Sequence, residues 1–139
     1  MKKLAIGFVA AIALGACTSS GWEDWGGFTL ASDELAVHHR VKQGQHRLEL
    51  LHRVTNRQGR VLRWETLDSV DLQLAEGTLV CMSAARNGGT ADYVAIAEDD
   101  PQHQHRVLRA WRVDEQARKL VSAPVDGVVC NPGAEPRTK

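Results

Sequence analysis

Apolar residues in this chain recur with the period of β-strands, and glycine-containing turns separate the runs. The clearest alternation covers residues 70–74, in which the even positions are apolar and the odd positions are Asp71 and Gln73. A strand with one face buried and the other in water gives this period of two. Residues 60–67 also form a predicted strand, with Leu62 and Trp64 on one face and Val61 on the other.

Two further runs, residues 78–85 and 91–97, are apolar on both faces. Between them lies Asn87-Gly88-Gly89, whose residues accept positive φ at little cost and therefore predict a tight turn. A strand that is apolar on both sides is typical of the centre of a sheet that is covered above and below. We expect these two strands to pair and to be buried in a layered or closed structure.

The segments 35–42 and 46–55 predict a β-hairpin around the loop 43–45, which contains Gly44. Leu51 breaks the alternation, so an amphipathic helix that begins near Asp33 is the alternative. Gly44 in the middle of such a helix would cost about 1 kcal/mol relative to alanine. The pattern therefore favours strands.

Shorter apolar runs at 106–113, 120–121 and 128–130 complete the pattern. Together the runs predict a mainly β fold, a small antiparallel β sandwich or barrel. One short helix ahead of the first strands is compatible with the sequence, so an α+β fold is the alternative. We place a single β-rich domain at 28–130 and a disordered tail at 131–139.

The N-terminus has the composition of an export signal. Lys2 and Lys3 precede an uncharged apolar stretch at 4–14, which is shorter than the roughly 20 residues of a permanent span. The next residues, Leu14-Gly15-Ala16-Cys17, resemble the lipobox of bacterial lipoprotein precursors. The resemblance implies that the signal peptide 1–16 is removed and that Cys17, at the start of a tether over 17–27, receives fatty acyl chains such as palmitate.

The same resemblance implies a location. Two or three acyl chains hold a protein stably at a membrane, whereas one holds it marginally. In Gram-negative members of this class an Asp directly after the Cys retains the protein in the inner membrane, and here that position is Thr18. We therefore expect a lipid anchor that faces the periplasm, in the outer rather than the inner membrane if the cell is Gram-negative.

The lipobox assignment also bears on the other cysteines. With Cys17 lipidated, Cys81 and Cys130 remain as one pair in a chain sent to an oxidising compartment. We expect them to form a disulfide. It would connect the last apolar run to the first of the two central strands.

Charge excludes some partners. The chain balances 17 basic against 17 acidic residues, and loss of Lys2 and Lys3 would leave a net charge of −2. A near-neutral domain offers no basic surface for nucleic acid. The expected partners are therefore the membrane, through the N-terminal lipid, and an envelope protein or the cell wall.

Histidine is the one residue type whose abundance suggests metal chemistry, because the chain has six. His103 and His105 would point the same way from a strand and are weak candidates for copper or zinc ligands. No Cys, Asp or Glu completes a recognisable metal-binding spacing around them. The sequence therefore predicts neither a metal site nor a cofactor.

No serine lies in a Gly-x-Ser-x-Gly motif, and the acidic pairs fall at strand ends and turns. We therefore expect no catalytic residues and no enzymatic activity. The sequence favours a lipid-anchored envelope module that binds or supports a partner through one β face or edge. The alternative is a periplasmic enzyme inhibitor, or a lipoprotein that binds a small ligand or a metal.

Overall fold

The apolar runs form nine strands in a computed structural model, which describes residues 21–89, 92–100, 102 and 105–130. These residues contain no α-helix. The strands are β1 (Glu23–Thr29), β2 (Leu35–Lys42), β3 (Gln45–Thr55), β4 (Val61–Leu72), β5 (Thr78–Arg86), β6 (Tyr93–Glu98), β7 (Val107–Asp114), β8 (Lys119–Ala123) and β9 (Val128–Val129).

The strands form two antiparallel sheets. One has the order β1-β2-β3-β4 and the other the order β8-β7-β6-β5-β9. The sheets come together at both sides, where β4 lies beside β8 and β1 lies beside β5. At the first of these sides the Leu120 amide donates to Asp68 Oδ2 over 2.8 Å. The predicted mainly β, antiparallel fold with one disulfide is confirmed.

The hairpin of β2 and β3 shows how local sequence sets the register. Lys42 pairs with Gln45, so the loop has two residues, Gln43 and Gly44, with φ values of 50° and 81°. Positive φ at both loop positions matches the right-handed twist of the flanking strands. The predicted hairpin is thus confirmed, and the helix that would begin near Asp33 does not form.

The main core lies between the two sheets. The fully buried side chains Val37, Leu48 and Leu50 of the first sheet face Val94 and other apolar residues of the second. This arrangement removes one face of each sheet from water, which is the principal favourable contribution to folding.

A second core covers the opposite face of the five-stranded sheet. Cys81, Ala95, Ala110 and Ala123 lie side by side across β5, β6, β7 and β8. These small side chains are buried together with Val128 and Cys130 at the C-terminal end of the described chain. Burial on both faces explains why the runs 78–85 and 91–97 are apolar throughout.

The disulfide predicted from the cysteine count joins Cys81 to Cys130, with their Cα atoms 5.9 Å apart. It fastens the segment that follows β8 onto the second core. In the chain-entropy model, closing a loop of this length stabilises a small domain by about 4 kcal/mol.

Two predicted boundaries differ from the structure. The predicted runs at 60–67 and 70–74 fall largely in one strand, β4. A β-bulge at Leu67 accommodates an extra residue without ending the strand. The first strand starts at Glu23, inside the segment 17–27 that the sequence assigned to the tether. Cys17 and the tail 131–139 lie outside the described residues.

Candidate functional site

The ends of β3 and β4 project past the rest of their sheet. β2 begins at Leu35, which pairs with His52, and the Arg53 amide donates to the Glu34 carbonyl just ahead of β2. Beyond that point β3 and β4 pair only with each other. Arg53 lies opposite Trp64, and the pairing continues to the pair of Thr55 and Val61 next to the turn. We call residues 53–64 the hairpin arm.

The turn at the tip of the arm is held by its own hydrogen bonds. Asn56 Oδ1 accepts from the amides of Gln58 and Arg60, each over 2.9 Å. The Asn56 carbonyl accepts from the Gly59 amide over 3.0 Å, and Gly59 has a φ of 84°. The side chain of an Asx residue that bonds its own turn fixes the backbone locally. The arm is therefore a structured ribbon.

Large apolar side chains on the arm are exposed. Val61, Leu62 and Trp64 keep 42%, 55% and 41% of their surface in contact with solvent. All six residues from 61 to 66 are exposed, whereas Leu72 at the far end of the same strand is buried. Neighbouring exposed apolar side chains that form a patch on a protein surface mark interaction sites.

Charged residues flank this apolar cluster. Arg63 and Glu65 form an ion pair with 2.7 Å between Nη2 and Oε2, and both side chains are largely exposed. At the base of the arm, Arg53 Nη1 lies 2.9 Å from Asp33 Oδ2. β4 therefore presents apolar and charged side chains next to each other over residues 61–65.

The sequence placed Leu62 and Trp64 on one face of this strand and Val61 on the other. The structure instead shows a register shift between Val54 and Thr55, which adds a residue to β4 beside Leu62. A bulge of this kind turns the strand locally and breaks strict alternation. Val61, Leu62 and Trp64 are all exposed along this part of β4, from the turn to the base of the arm.

A second unusual feature is a pair of contacting imidazoles within the first sheet. His39 Nε2 lies 2.9 Å from His46 Nδ1, and the two rings stack with their centroids 5.1 Å apart. The edge-on ring of Trp25 lies 5.8 Å from each. His39 is almost fully buried, at 6% exposure.

Burial determines the protonation of this pair. It lowers the pKa of His39 to about 4, an effect that the neighbouring His46 increases and Asp24 partly offsets. Burial also lowers the pKa of His46. Both rings are therefore neutral at pH 7, and one ring N–H donates to the other ring's nitrogen.

Of the two weak metal candidates, the structure describes only His105. His103 lies outside the described residues. His105 Nδ1 lies 3.1 Å from the Glu98 carbonyl oxygen, at the edge of a groove beside the disulfide. Within the described ranges, no three His, Cys, Asp or Glu side chains are grouped so that they could hold a metal ion.

Comparison with protein-family models, curated proteins and solved structures found no match for this chain. Among the residues that the structure describes, none form a helix that is long and apolar enough to cross a membrane.

Proposed function

We propose that this chain is a lipid-anchored, non-catalytic module of the cell envelope that binds a protein partner through the hairpin arm. The lipobox-like segment Leu14-Gly15-Ala16-Cys17 supports the anchoring. The exposed apolar cluster on the ordered arm supports the binding, and this single observation carries the proposal.

The arm has the features of a recognition element. Its turn is held by hydrogen bonds, so little conformational entropy is lost when a partner binds it. Trp64 supplies the kind of large aromatic side chain that is enriched among the residues that dominate binding energy. An exposed edge strand also offers backbone hydrogen bonds to an incoming strand.

Anchoring is tested by Cys17→Ala with fatty-acid labelling and membrane fractionation. We expect the variant to lose both the label and membrane attachment. A variant that is still labelled and still membrane-bound would exclude lipidation at this residue.

Binding through the arm is tested by chemical crosslinking in intact envelopes with the double variant Leu62→Ser and Trp64→Ser. Leu108→Ser is the matched control, because Leu108 is 40% exposed on β7, in the other sheet. We expect the double variant to lose crosslinked partners and the control to keep them. Equal crosslinking by both variants would exclude the arm as the binding surface.

A further inference from the structure

One edge of β4 is open over the length of the arm. β4 is the last strand of its sheet and pairs with β3 on one side. On the other side β8 lies beside β4, and Asp68 Oδ2 accepts a hydrogen bond from the Leu120 amide. Over residues 61–66, no other described strand pairs with that edge. Unpaired backbone groups on an edge strand are a template for another strand.

The charges along this edge are complementary to themselves. Two copies of a strand can pair antiparallel about a two-fold axis. A residue that lies a given number of positions before the axis in one copy is then opposite the residue that lies the same number of positions after it in the other copy. With the axis at Trp64, Arg63 of one copy lies opposite Glu65 of the other, twice over. With the axis at Arg63 or at Glu65, identical charges would face each other, which destabilises a strand pair.

The same register brings the two exposed tryptophans together. Trp64 of one copy lies opposite Trp64 of the second copy. Aromatic pairs directly across two strands stabilise the pairing. One register therefore satisfies both the exposed charges and the exposed tryptophan.

We propose that the partner of the hairpin arm is a second copy of this chain, joined β4 to β4 in an antiparallel pair centred on Trp64. This inference rests on the proposed function and names the partner of the same arm. The contact is small, and attachment to one membrane raises the effective concentration of the two copies. Pairing of the two edges continues the four-stranded sheet of one copy into that of the other.

Charge reversal tests this pairing of two copies. The variant R63E carries two acidic residues beside Trp64, and the variant E65R carries two basic ones. Each variant should fail to pair with itself, because like charges then face each other. A mixture of the two should pair, because every acidic residue again meets a basic one.

The experiment uses full-length chains with two different affinity tags, co-expressed and isolated from membranes in mild detergent. We expect co-isolation of wild type with wild type and of R63E with E65R, and at least a tenfold lower yield for each variant with itself. Neither variant can form the Arg63–Glu65 ion pair within its own chain, whether alone or in the mixture. Recovery of pairing in the mixture therefore reports contacts between chains. Far-ultraviolet circular dichroism checks that each variant is folded.

Two results would overturn the inference: wild-type copies that do not co-isolate, or a mixture that pairs no better than each variant alone. If either result appears while the Leu62→Ser and Trp64→Ser double variant still loses its envelope crosslinks, the arm binds a different protein and the proposed function stands. If those crosslinks also persist, both proposals fail.

Discussion

Replacing His39 with glutamine should remove a large part of the pH dependence of this domain's stability. In the folded chain the His39 imidazole is buried against His46 and Trp25, and its pKa lies at about 4 rather than the usual 6.5. In the unfolded chain the ring is in water and protonates below about pH 6.5. Glutamine does not titrate and can keep a hydrogen bond to His46.

The sign and size follow from linkage. As the pH falls below 6.5, His39 of the unfolded chain takes up a proton, whereas His39 of the folded chain accepts one only near pH 4. The free energy of unfolding therefore decreases between pH 6.5 and pH 4. Below pH 4 both states are protonated at His39, so this residue causes no further loss. A lowering from 6.5 to about 4 corresponds to about 3 kcal/mol. The lowered pKa of His46 acts in the same direction.

The assay is urea unfolding from pH 7 to pH 4, with a soluble form that begins at Thr18 and contains all the described strands. We expect the free energy of unfolding of the wild type to fall by about 3 kcal/mol more than that of His39→Gln over this range. His52→Gln, on β3, controls for the loss of one imidazole elsewhere. Parallel pH curves for the wild type and His39→Gln would show that His39 does not cause the loss of stability at low pH.

Three other changes should lower stability at pH 7, each measured as a free energy of unfolding in urea. Alanine at both half-cystines should cost about 4 kcal/mol, because the unfolded chain regains the freedom of a long loop; wild-type stability would contradict this. Gly27→Ala should cost about 1–3 kcal/mol, since a Cβ there would lie 2.5 Å from the Val37 carbonyl oxygen, and an unchanged midpoint would exclude that contact. Asp68→Ala should cost about 1–3 kcal/mol by leaving the Leu120 amide without its acceptor, and a loss below measurement would show that the contact between β4 and β8 does not need it.

Much of the fold is predictable because its signals are local. The loop predicted at 43–45 lies between two apolar runs and indicates a hairpin, whose loop in the structure is Gln43 and Gly44. The strands that are apolar on both faces predict two covering layers, and the structure supplies them as the main core and the alanine-rich core beside Cys130. Each inference needs only a few neighbouring residues.

The parts that sequence reasoning missed depend on features that side chains do not mark. The extra residues beside Leu62 and Leu67 change which face later residues occupy, and no residue type specifies them. β1 was missed because its segment combines Glu23, Asp24 and two glycines, a composition typical of a loop.

The histidine pair and the hairpin arm also differ in how far the sequence could predict them. The contact between His39 and His46 could have been predicted from the hairpin. The hairpin register places His46 opposite Val41, and this makes His46 a diagonal neighbour of His39 across the two strands. The arm could not have been predicted in this way, because its exposure depends on β2 being shorter than β3 and β4. That difference in length is a property of the whole sheet.

Binding through the arm is tested most simply by site-specific photocrosslinking from position 64 in intact cells, with position 108 as the control. Both side chains are about equally exposed, but Trp64 lies on the arm and Leu108 on β7. We expect a discrete crosslinked protein from position 64 that is absent from position 108. No crosslinked protein from position 64, or the same products from both positions, would contradict binding through the arm.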